Sequence, residues 1–377
     1  MHRQPADHAE PTTPTPPTGR RALSRRTVLH GTLGAVAGAG LATAYGPATS
    51  AAAAPTVTKI KDLIGTQTPV QFGIGATDLG IPAQCPDGRT IYVFGDTWAD
   101  HVGGANWRSP VALWSGTTDL AAGVTFDAAV GGDVAAQLWH YEHDGYIQTV
   151  IPSDVITIGG TMYLHAIVNG PEFGMVRWTE VWRSDDSGAT WQHTGLNLPA
   201  DKDGGHFQCI TWGRGNDGYV YAFGTGFQRD KGIVLNRIRE TELGNAAAYE
   251  PWVWDGTRWR WGSPGESAAV ILGGRWGEMC LRPIDGKWLF TGFSEADYRI
   301  DAMVLNTPTD DLTVAPRTTL IHGGEWGQED DTHVAQLYGP YIIPGSTLAD
   351  LHMTVSQWNT TTNAVYHSMQ FRVQGLA

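Results

Sequence analysis

Four polar residues stand at even distances before a repeated glycine turn, and two of them are carboxylates. Counting back ten, twelve, ten and eight residues from Gly88, Gly160, Gly218 and Gly286 gives Asp78, Gln148, Gln208 and Glu278. Side chains in a strand alternate between its two faces, so equal parity places all four on one face if no β-bulge intervenes. Two opposed carboxylates suit glycoside hydrolysis, in which one protonates the leaving oxygen while the other activates water or attacks the sugar.

A third acid, Asp96, follows the second strand of the first repeat in F-G-D-T-W, where the third repeat has F-G-T-G. The acid is therefore an addition to the first repeat. The alternative is structural, because Asp often caps turns at strand ends, and Asp78 and Glu278 are open to the same interpretation. Asp154, in I-P-S-D-V-I, is predicted to be a turn residue ahead of its strand. It becomes a catalytic candidate, with His206 and His333, only if the other three acids prove dispensable.

The tryptophans divide into two groups. Trp98, Trp107 and Trp276 lie beside the acids or in glycine-rich loops, where they are candidates to stack on sugar rings. Most others alternate within strands and are predicted to pack inside the fold. This second group includes Trp212, Trp252, Trp254, Trp259, Trp261 and Trp288.

Motifs for other chemistry are missing from the sequence. There is no H-E-x-x-H, no cysteine pair at zinc spacing and no G-x-S-x-G nucleophile elbow. His206 and His333 are candidates to line a central channel, but a scattered histidine more often forms hydrogen bonds than binds a metal ion. We therefore expect no cofactor and no metal in the site, and a structural calcium ion stays open.

A recurring unit, a turn followed by an apolar and aromatic strand, predicts the fold. Its reference positions are Gly88, Gly160, Gly218, Gly286 and, in a weaker copy, Ala349, which are 72, 58, 68 and 63 residues apart. Such spacing is typical of one four-stranded blade, so we predict an all-β chain folded as a five-bladed β-propeller. A β-sandwich with insertions is the alternative. Residues 57–61 or 369–373 should add a strand at the opposite terminus and close the ring, and about 238–249 reads as the one short helix.

Residues 184–191, S-D-D-S-G-A-T-W, match the S-x-D-x-G-x-T-W box of sialidase-type propellers. That box is a turn that joins two strands away from the channel. It supports the propeller but does not predict a sialidase, which also needs an arginine cluster to bind a carboxylate sugar.

The first 54 residues have the order of a signal peptide for twin-arginine export. A Pro/Thr-rich lead precedes Arg25 and Arg26, an apolar stretch covers about 28–44, and small residues fill 48–54. The apolar stretch is too short and mild for a spanning helix. We therefore predict a signal peptide over 1–54, a single propeller domain over 55–377 and secretion. A disordered basic arm is the alternative.

Removing residues 1–54 takes away five of the 25 Lys+Arg and two of the 38 Asp+Glu, which leaves a formal charge of −16. Such a protein is unsuited to nucleic acid or anionic membranes and suits a neutral or cationic ligand. Cys85, Cys209 and Cys280 are an odd number, so one disulfide at most can form and disulfides are not the main source of stability. We expect a monomer.

The ordered motifs carry a family resemblance. They are G-A-T-D-L-G-I, I-Y-V-F-G-D-T-W, I-P-S-D-V-I-T-I-G-G-T-M-Y-L-H, Y-V-Y-A-F-G-T-G-F-Q-R, G-E-M-C-L-R-P and Y-G-P-Y-I-I-P. Over 57–373 the chain resembles exported propellers once known only as a domain of unknown function, now glycoside hydrolase family 183. These are endo-D-arabinanases that cut the arabinofuranan of mycobacterial-type cell walls.

The resemblance implies a five-bladed propeller with acids at the channel mouth, which map onto Asp78, Asp96 and Glu278. The residues expected to bind the polysaccharide are Trp98, Gln148, His206, Gln208, Arg229, Trp276, His333 and Tyr338.

Three function classes stay open. An endo-glycosidase needs the acids, a polysaccharide-binding propeller needs only aromatic residues, and an adhesion module needs neither. The acids favour the enzyme, with arabinogalactan or lipoarabinomannan as the expected substrate and another furanoside or plant-type arabinan as the alternative. On this hypothesis Glu278 donates a proton to the leaving oxygen, while Asp96 or Asp78 acts on the anomeric carbon, directly or through water.

Overall fold

The computed structural model describes residues 54–172 and 174–376, and these residues form a nearly all-β domain. The predicted signal segment lies outside the described residues except for Ala54. Among the described residues the only helical segments are 3-10 turns, at Leu120–Ala122, Lys202–Gly205, Glu240–Glu242 and Ala246–Ala248. None of the described helices is long and apolar enough to cross a bilayer. The helix predicted for about 238–249 is wrong, because its first residues end a strand and two 3-10 turns follow.

The strands pair in five successive antiparallel units, each running from the channel outwards. The first unit is β2 (Leu79–Gln84), β3 (Thr90–Phe94), β4 (Val111–Ser115) and β5 (Ala128–Ala129). The second is β6 (Thr149–Ile158), β7 (Thr161–Asn169), β8 (Val176–Ser184) and β9 (Gln192–Pro199). The third is β10 (Cys209–Arg214), β11 (Tyr219–Thr225), β12 (Lys231–Arg239), β13 (Glu250–Trp254) and β14 (Trp259–Trp261).

The last two units complete the ring. The fourth is β15 (Val270–Ile284), β16 (Lys287–Ser294), β17 (Arg299–Leu305) and β18 (Thr318–Gly323), with β19 (His333–Val334) parallel to β18. The fifth is β20 (Leu337–Ile342), β21 (Asp350–Trp358), β22 (Tyr366–Gln374) and the amino-terminal β1 (Thr56–Gly65). The innermost strands β2, β6, β10, β15 and β20 lie side by side in a closed circle. Part of β15 also pairs with β12, so the third and fourth units share one sheet. The nearly all-β ring confirms the predicted propeller fold.

The two ends of the chain meet in the fifth unit. β1 pairs antiparallel with β22, from Thr56 opposite Gln374 to Gly65 opposite His367, and forms the outermost strand there. The pairing removes an exposed sheet edge at each terminus, as the sequence analysis expected.

The predicted turns also join the strands that the repeat assigned to them. Gly88, Gly160, Gly218 and Gly286 lie between the first and second strands of their units. The S-D-D-S-G-A-T-W segment turns from β8 to β9, and Asp186 accepts hydrogen bonds there from the Ser184 hydroxyl and from the Thr190 amide and hydroxyl.

Candidate active site

Three carboxylates gather at one mouth of the channel, the mouth where most of the inner strands begin. Asp78 directly precedes β2, and the amide of Gly95 donates to its carbonyl at 3.2 Å, which continues the β2–β3 pairing past the strand end. Asp96 directly follows Gly95, and Glu278 lies within β15. The charges of Asp96 and Glu278 both raise the pKa of Asp78, so the three groups form one electrostatic cluster.

Asp78 is almost completely buried, with 9% of its surface exposed. Its Oδ2 accepts a hydrogen bond of 2.8 Å from the Tyr338 hydroxyl, while Oδ1 has no hydrogen-bond partner among the described residues. Gly95 leaves room for this carboxyl, because a Cβ at that position would overlap Oδ1. Asp78 thus has one buried carboxylate oxygen without a partner within the residues described.

Burial is the main cause that raises the pKa of Asp78 from 3.8 to about 7. The hydrogen bond from Tyr338 and the nearby Tyr366 hydroxyl act in the opposite direction, since they favour the charged form. Near neutral pH, Asp78 is thus divided between its protonated and ionised forms.

Glu278 is held by an arginine. Its Oε1 accepts a hydrogen bond of 2.7 Å from Arg229 Nη2, and Oε2 is buried without a partner in the described part of the chain. The Arg229 guanidinium also lies 4.8 Å from the centre of the Tyr338 ring. Gly277 permits this approach, because a Cβ there would lie 2.9 Å from Arg229 Cγ. Tyr338 therefore contacts Asp78 directly and contacts Arg229, the partner of Glu278.

Asp96 has a separate set of partners. Its Oδ1 accepts from Trp107 Nε1 at 2.7 Å and from the Thr149 hydroxyl at 2.5 Å. Burial raises the pKa of Asp96, while these two hydrogen bonds and the nearby His143 oppose the rise. The Trp107 ring stacks on His143 at 4.1 Å and on Trp98 at 5.8 Å, which forms an aromatic wall beside this acid.

The three tryptophans predicted to stack on sugar rings have different surroundings. Trp98 belongs to this wall, although only 8% of it is exposed. Trp276 is a core residue with 1% exposed, its indole donates to the Gly273 carbonyl, and Arg317 covers one face at 5.0 Å. The expectation that Trp276 stacks on a sugar is therefore wrong, since no ring face is open.

Several other predicted binding residues have structural partners. Gln208 donates to the Ala200 carbonyl and accepts from the Phe227 amide, so its side chain joins two loops. His206 Nδ1 contacts the Asp203 carbonyl at 2.8 Å. His333 lies in β19, where it stacks on His322 and pairs with Asp330 at 3.1 Å. Gln148 directly precedes β6, and its backbone amide donates to the Asn169 carbonyl.

Asp154 is not the turn residue that the sequence suggested. It lies inside β6, fully buried, and forms a two-point ion pair with Arg282 of β15 at 2.6 and 3.0 Å. It also accepts from the Trp212 amide and the Thr211 hydroxyl of β10. The pair links three inner strands and is structural.

Sequence reasoning missed Thr149, His143 and Tyr366. Thr149 directly follows the predicted Gln148, so the even spacing missed it by one residue. His143 and Tyr366 carry no local signal, because only the folded ring brings them to the acids.

The three cysteines are free and buried, and none forms a disulfide in the described chain. Burial raises the pKa of Cys85 and Cys280 to about 11 and that of Cys209 to about 12. Among the described residues, no group of three or more His, Cys, Asp or Glu side chains is arranged to hold a metal ion.

Two solved structures share this fold. A Bacteroides ovatus protein aligns with a TM-score of 0.57 at 13% identity, over 80% of this chain and 86% of that one. A GH43_1 enzyme from Xanthomonas citri aligns with a TM-score of 0.51 at 12% identity, over 83% and 90%. These similarities confirm the propeller fold.

Sequence comparison identifies relatives in bacteria and fungi. An uncharacterised 35.9 kDa protein of Mycolicibacterium smegmatis is 28% identical over 333 residues, 83% of this chain and 96% of the relative. Notoamide biosynthesis cluster protein J' of Aspergillus versicolor is 31% identical over 327 residues, 78% of this chain and 84% of the relative. The family model described as a domain of unknown function, DUF4185, matches residues 65–372, and the chain therefore belongs to the DUF4185 family.

Proposed function

We propose that the protein is a secreted glycoside hydrolase that cleaves internal furanosidic linkages of arabinan, of the α-D-arabinofuranan type. One observation carries the proposal: Asp78 is buried and Glu278 is partly buried at one channel mouth, and each keeps one carboxylate oxygen without a partner among the described residues. The choice of arabinan follows the family resemblance of the sequence motifs. A GH43_1 enzyme shares the fold.

The environments of the two acids divide their roles. Asp78, whose pKa burial raises to about 7, keeps a proton at mildly acidic pH and can protonate the leaving oxygen. Glu278 receives a charge-assisted hydrogen bond from Arg229, which suits a carboxylate acting as base or nucleophile. This division reverses the sequence-based assignment, which made Glu278 the proton donor.

Asp96 has a supporting role in this scheme. Its charge raises the pKa of Asp78 and so keeps the donor protonated. Trp107 and Thr149 fix the position of Asp96, and the stacked Trp98 and His143 rings complete the wall on that side.

The test is reducing-end release from arabinogalactan and lipoarabinomannan, compared with hydrolysis of an activated aryl furanoside. Asp78→Asn should lose about a hundredfold or more on the polymers and much less on the aryl furanoside, which needs little protonation. Glu278→Gln should lose a similar factor on both substrates. Glu240→Gln, which removes a charge from the surface pair with Arg214, is the matched control and should keep parental rates.

Two results would reject parts of this scheme. Wild-type rates for both acid variants on a substrate that the parent cleaves would exclude the site. The opposite leaving-group pattern would return the donor role to Glu278. We also expect EDTA to leave the rate unchanged, because both proposed roles are performed by carboxylates.

A further inference from the structure

The β13–β14 hairpin presents four tryptophans on one face. Trp252 lies opposite Trp261 and Trp254 lies opposite Trp259, and directly opposed residues in an antiparallel pair point to the same side. Their alternation along the strands predicted internal packing for all four. Only the inner pair matches that assignment.

The inner pair anchors the hairpin to the third unit. Trp261 is 5.9 Å from the ring of Tyr221, and the Arg237 guanidinium lies 4.2 Å from the Trp261 ring. Trp252 packs against Trp261 at 4.7 Å. The outer pair continues this face into solvent, with Trp254 50% exposed and Trp259 39% exposed.

Packing within the hairpin does not cover these two side chains, since Trp254 stays 50% exposed. Trp259 stacks parallel to Trp252 at 6.1 Å, and Trp254 meets Trp259 edge-on at 5.6 Å. Trp254 and Trp259 therefore form an exposed aromatic surface in which the two rings meet at 61°. Exposed apolar patches of this kind mark binding surfaces.

The charges around the patch identify its occupant. Arg237 pairs with Glu250 at 2.7 Å beside the inner pair, and Arg258 pairs with Asp255 at 3.6 Å in the turn that joins the two strands. Arg260 lies opposite Val253 and faces the other side of the hairpin, where it pairs with Glu266. The first two pairs form the rim of the patch, which is thus electrically balanced within a chain of net negative charge. An anionic ligand finds no unpaired cation in these two pairs, whereas a neutral ligand with hydroxyl edges finds both donors and acceptors.

We propose that Trp254 and Trp259 form a second, non-catalytic binding site for a neutral polysaccharide. Sugar rings have apolar C–H faces that pack on indoles, and their hydroxyl edges can bond the paired charges of the rim. The site lies on the hairpin, outside the carboxylate cluster. Binding one polymer at both places raises its effective concentration at the channel mouth. The choice of arabinan as the first probe rests on the proposed function.

The experiment is affinity electrophoresis of the mature protein carrying Asp78→Asn, so that the polysaccharide stays intact. The gels contain arabinogalactan, plant arabinan or xylan. The parent should be retarded by at least one of them, and Trp254→Ala/Trp259→Ala should weaken the apparent affinity by about tenfold or more, since two stacking faces are lost. Trp254→Phe/Trp259→Phe keeps smaller aromatic faces and should recover part of the retardation. Thermal melting checks that both variants are folded.

Three other outcomes decide against the proposal. Equal retardation of parent and alanine variant would place polysaccharide binding elsewhere, and no retardation of the parent on any gel would remove the site. A parent that sediments as a dimer while the alanine variant is a monomer would make a second copy of this chain the occupant. The proposed hydrolase fails separately: if the protein with Asp78 intact cleaves none of these polysaccharides while retardation still depends on Trp254 and Trp259, the hydrolase is rejected and this site stands.

Discussion

Tyr338 contacts both halves of the acid cluster through different atoms. Its hydroxyl donates to Asp78, and its ring faces the Arg229 guanidinium that holds Glu278. A change at this one side chain should therefore alter the titration of Asp78 while leaving the carboxylates in place.

We predict that Tyr338→Phe moves the alkaline limb of the pH–rate profile to higher pH. The hydroxyl favours the charged form of Asp78, so its loss raises a pKa that is already about 7. A general acid works only while protonated, so activity that falls as pH rises should then persist to higher pH. Initial rates on arabinogalactan between pH 5 and pH 9 measure the shift, which we expect to be up to about one pH unit.

The matched control is Tyr341→Phe in the same strand. The Tyr341 hydroxyl is buried and has no hydrogen-bond partner within the described residues, so its removal should leave the limb in place. A Tyr338→Phe limb that stays fixed or moves to lower pH would show that Asp78 is not the proton donor.

At the scale of single residues, the sequence predicted the acids but not all of the groups that surround them. Asp96 was found because the first repeat has an acid where the third has none, and Asp78 and Glu278 because they precede similar turns. Tyr366 could not be found, because it lies at the start of β22, at the far end of the chain from Asp78. The division of acid roles depends on burial and on Arg229, and neither can be read from spacing.

The inner strands are less regular than an even-spacing argument assumes. The register shifts between Leu79 and Ile81 in β2, between Pro152 and Asp154 in β6, and between Tyr338 and Tyr341 in β20. β10 pairs with β11 without a shift. Because each bulge inserts a residue and turns the following side chains, equal parity does not guarantee a common face.

The acids still meet because inner strands in a ring begin at a common mouth, whatever their internal register. The strand order was therefore predictable from the repeat. The orientation of each side chain was not, and Gln208, which joins two loops, is an example.

We predict that Asp154→Asn lowers the free energy of unfolding by about 3 to 5 kcal/mol, because it leaves the buried Arg282 charge without a full partner. Urea denaturation followed by tryptophan fluorescence measures the loss. Activity per folded molecule should remain parental, because the pair joins β6, β10 and β15 and takes no part in the proposed reaction.

Two comparison variants sharpen this test. Asp154→Leu/Arg282→Met should recover much of the lost stability, since an apolar pair has no buried charge. Glu240→Gln at the surface pair should cost about 1 kcal/mol or less. A folded Asp154→Asn protein of parental stability but without activity would restore Asp154 as a catalytic candidate.

We predict that deleting residues 365–377 abolishes cooperative folding. The deletion removes β22, which is the only strand that pairs with β1 among the described strands. Thermal unfolding by circular dichroism measures the effect. Deleting residues 375–377 is the control, since β22 ends at Gln374, and it should leave the melting temperature within a few degrees. An unchanged melting curve for the longer deletion would contradict closure of the ring by β1 and β22.

At the scale of the whole molecule, export by the twin-arginine route stays a prediction from residues 1–54. Arg25→Lys/Arg26→Lys should keep the precursor inside the cell, because the receptor distinguishes guanidinium groups from other cations. Fractionation and immunoblotting of culture medium and cells measure the distribution. Arg20→Lys/Arg21→Lys, a nearby pair, is the matched control and should be exported normally; unchanged secretion of the first variant would exclude this route.

Composition predicted an acidic molecule suited to a neutral or cationic ligand, but it could not distinguish packing tryptophans from exposed ones. The β13–β14 hairpin shows the reason. All four of its tryptophans alternate in the same way along their strands, and only Trp254 and Trp259, near the turn of the hairpin, lie beyond the contacts of Trp261 with Tyr221 and Arg237 and stay exposed.

The pairing of β1 with β22 also sets the order in which the molecule can be completed. A ribosome releases β1 first and β22 last, and contacts such as that from the Tyr366 amide to the Thr66 hydroxyl join residues 300 positions apart. Until β22 has been synthesised, β1 is a ten-residue strand without its neighbour, and Lys59 and Lys61 are the kind of charges that discourage it from pairing with other nascent chains. The ring can therefore close only after β22 is available, and a ribosome stalled before β22 would hold a chain whose strand β1 has no place to dock.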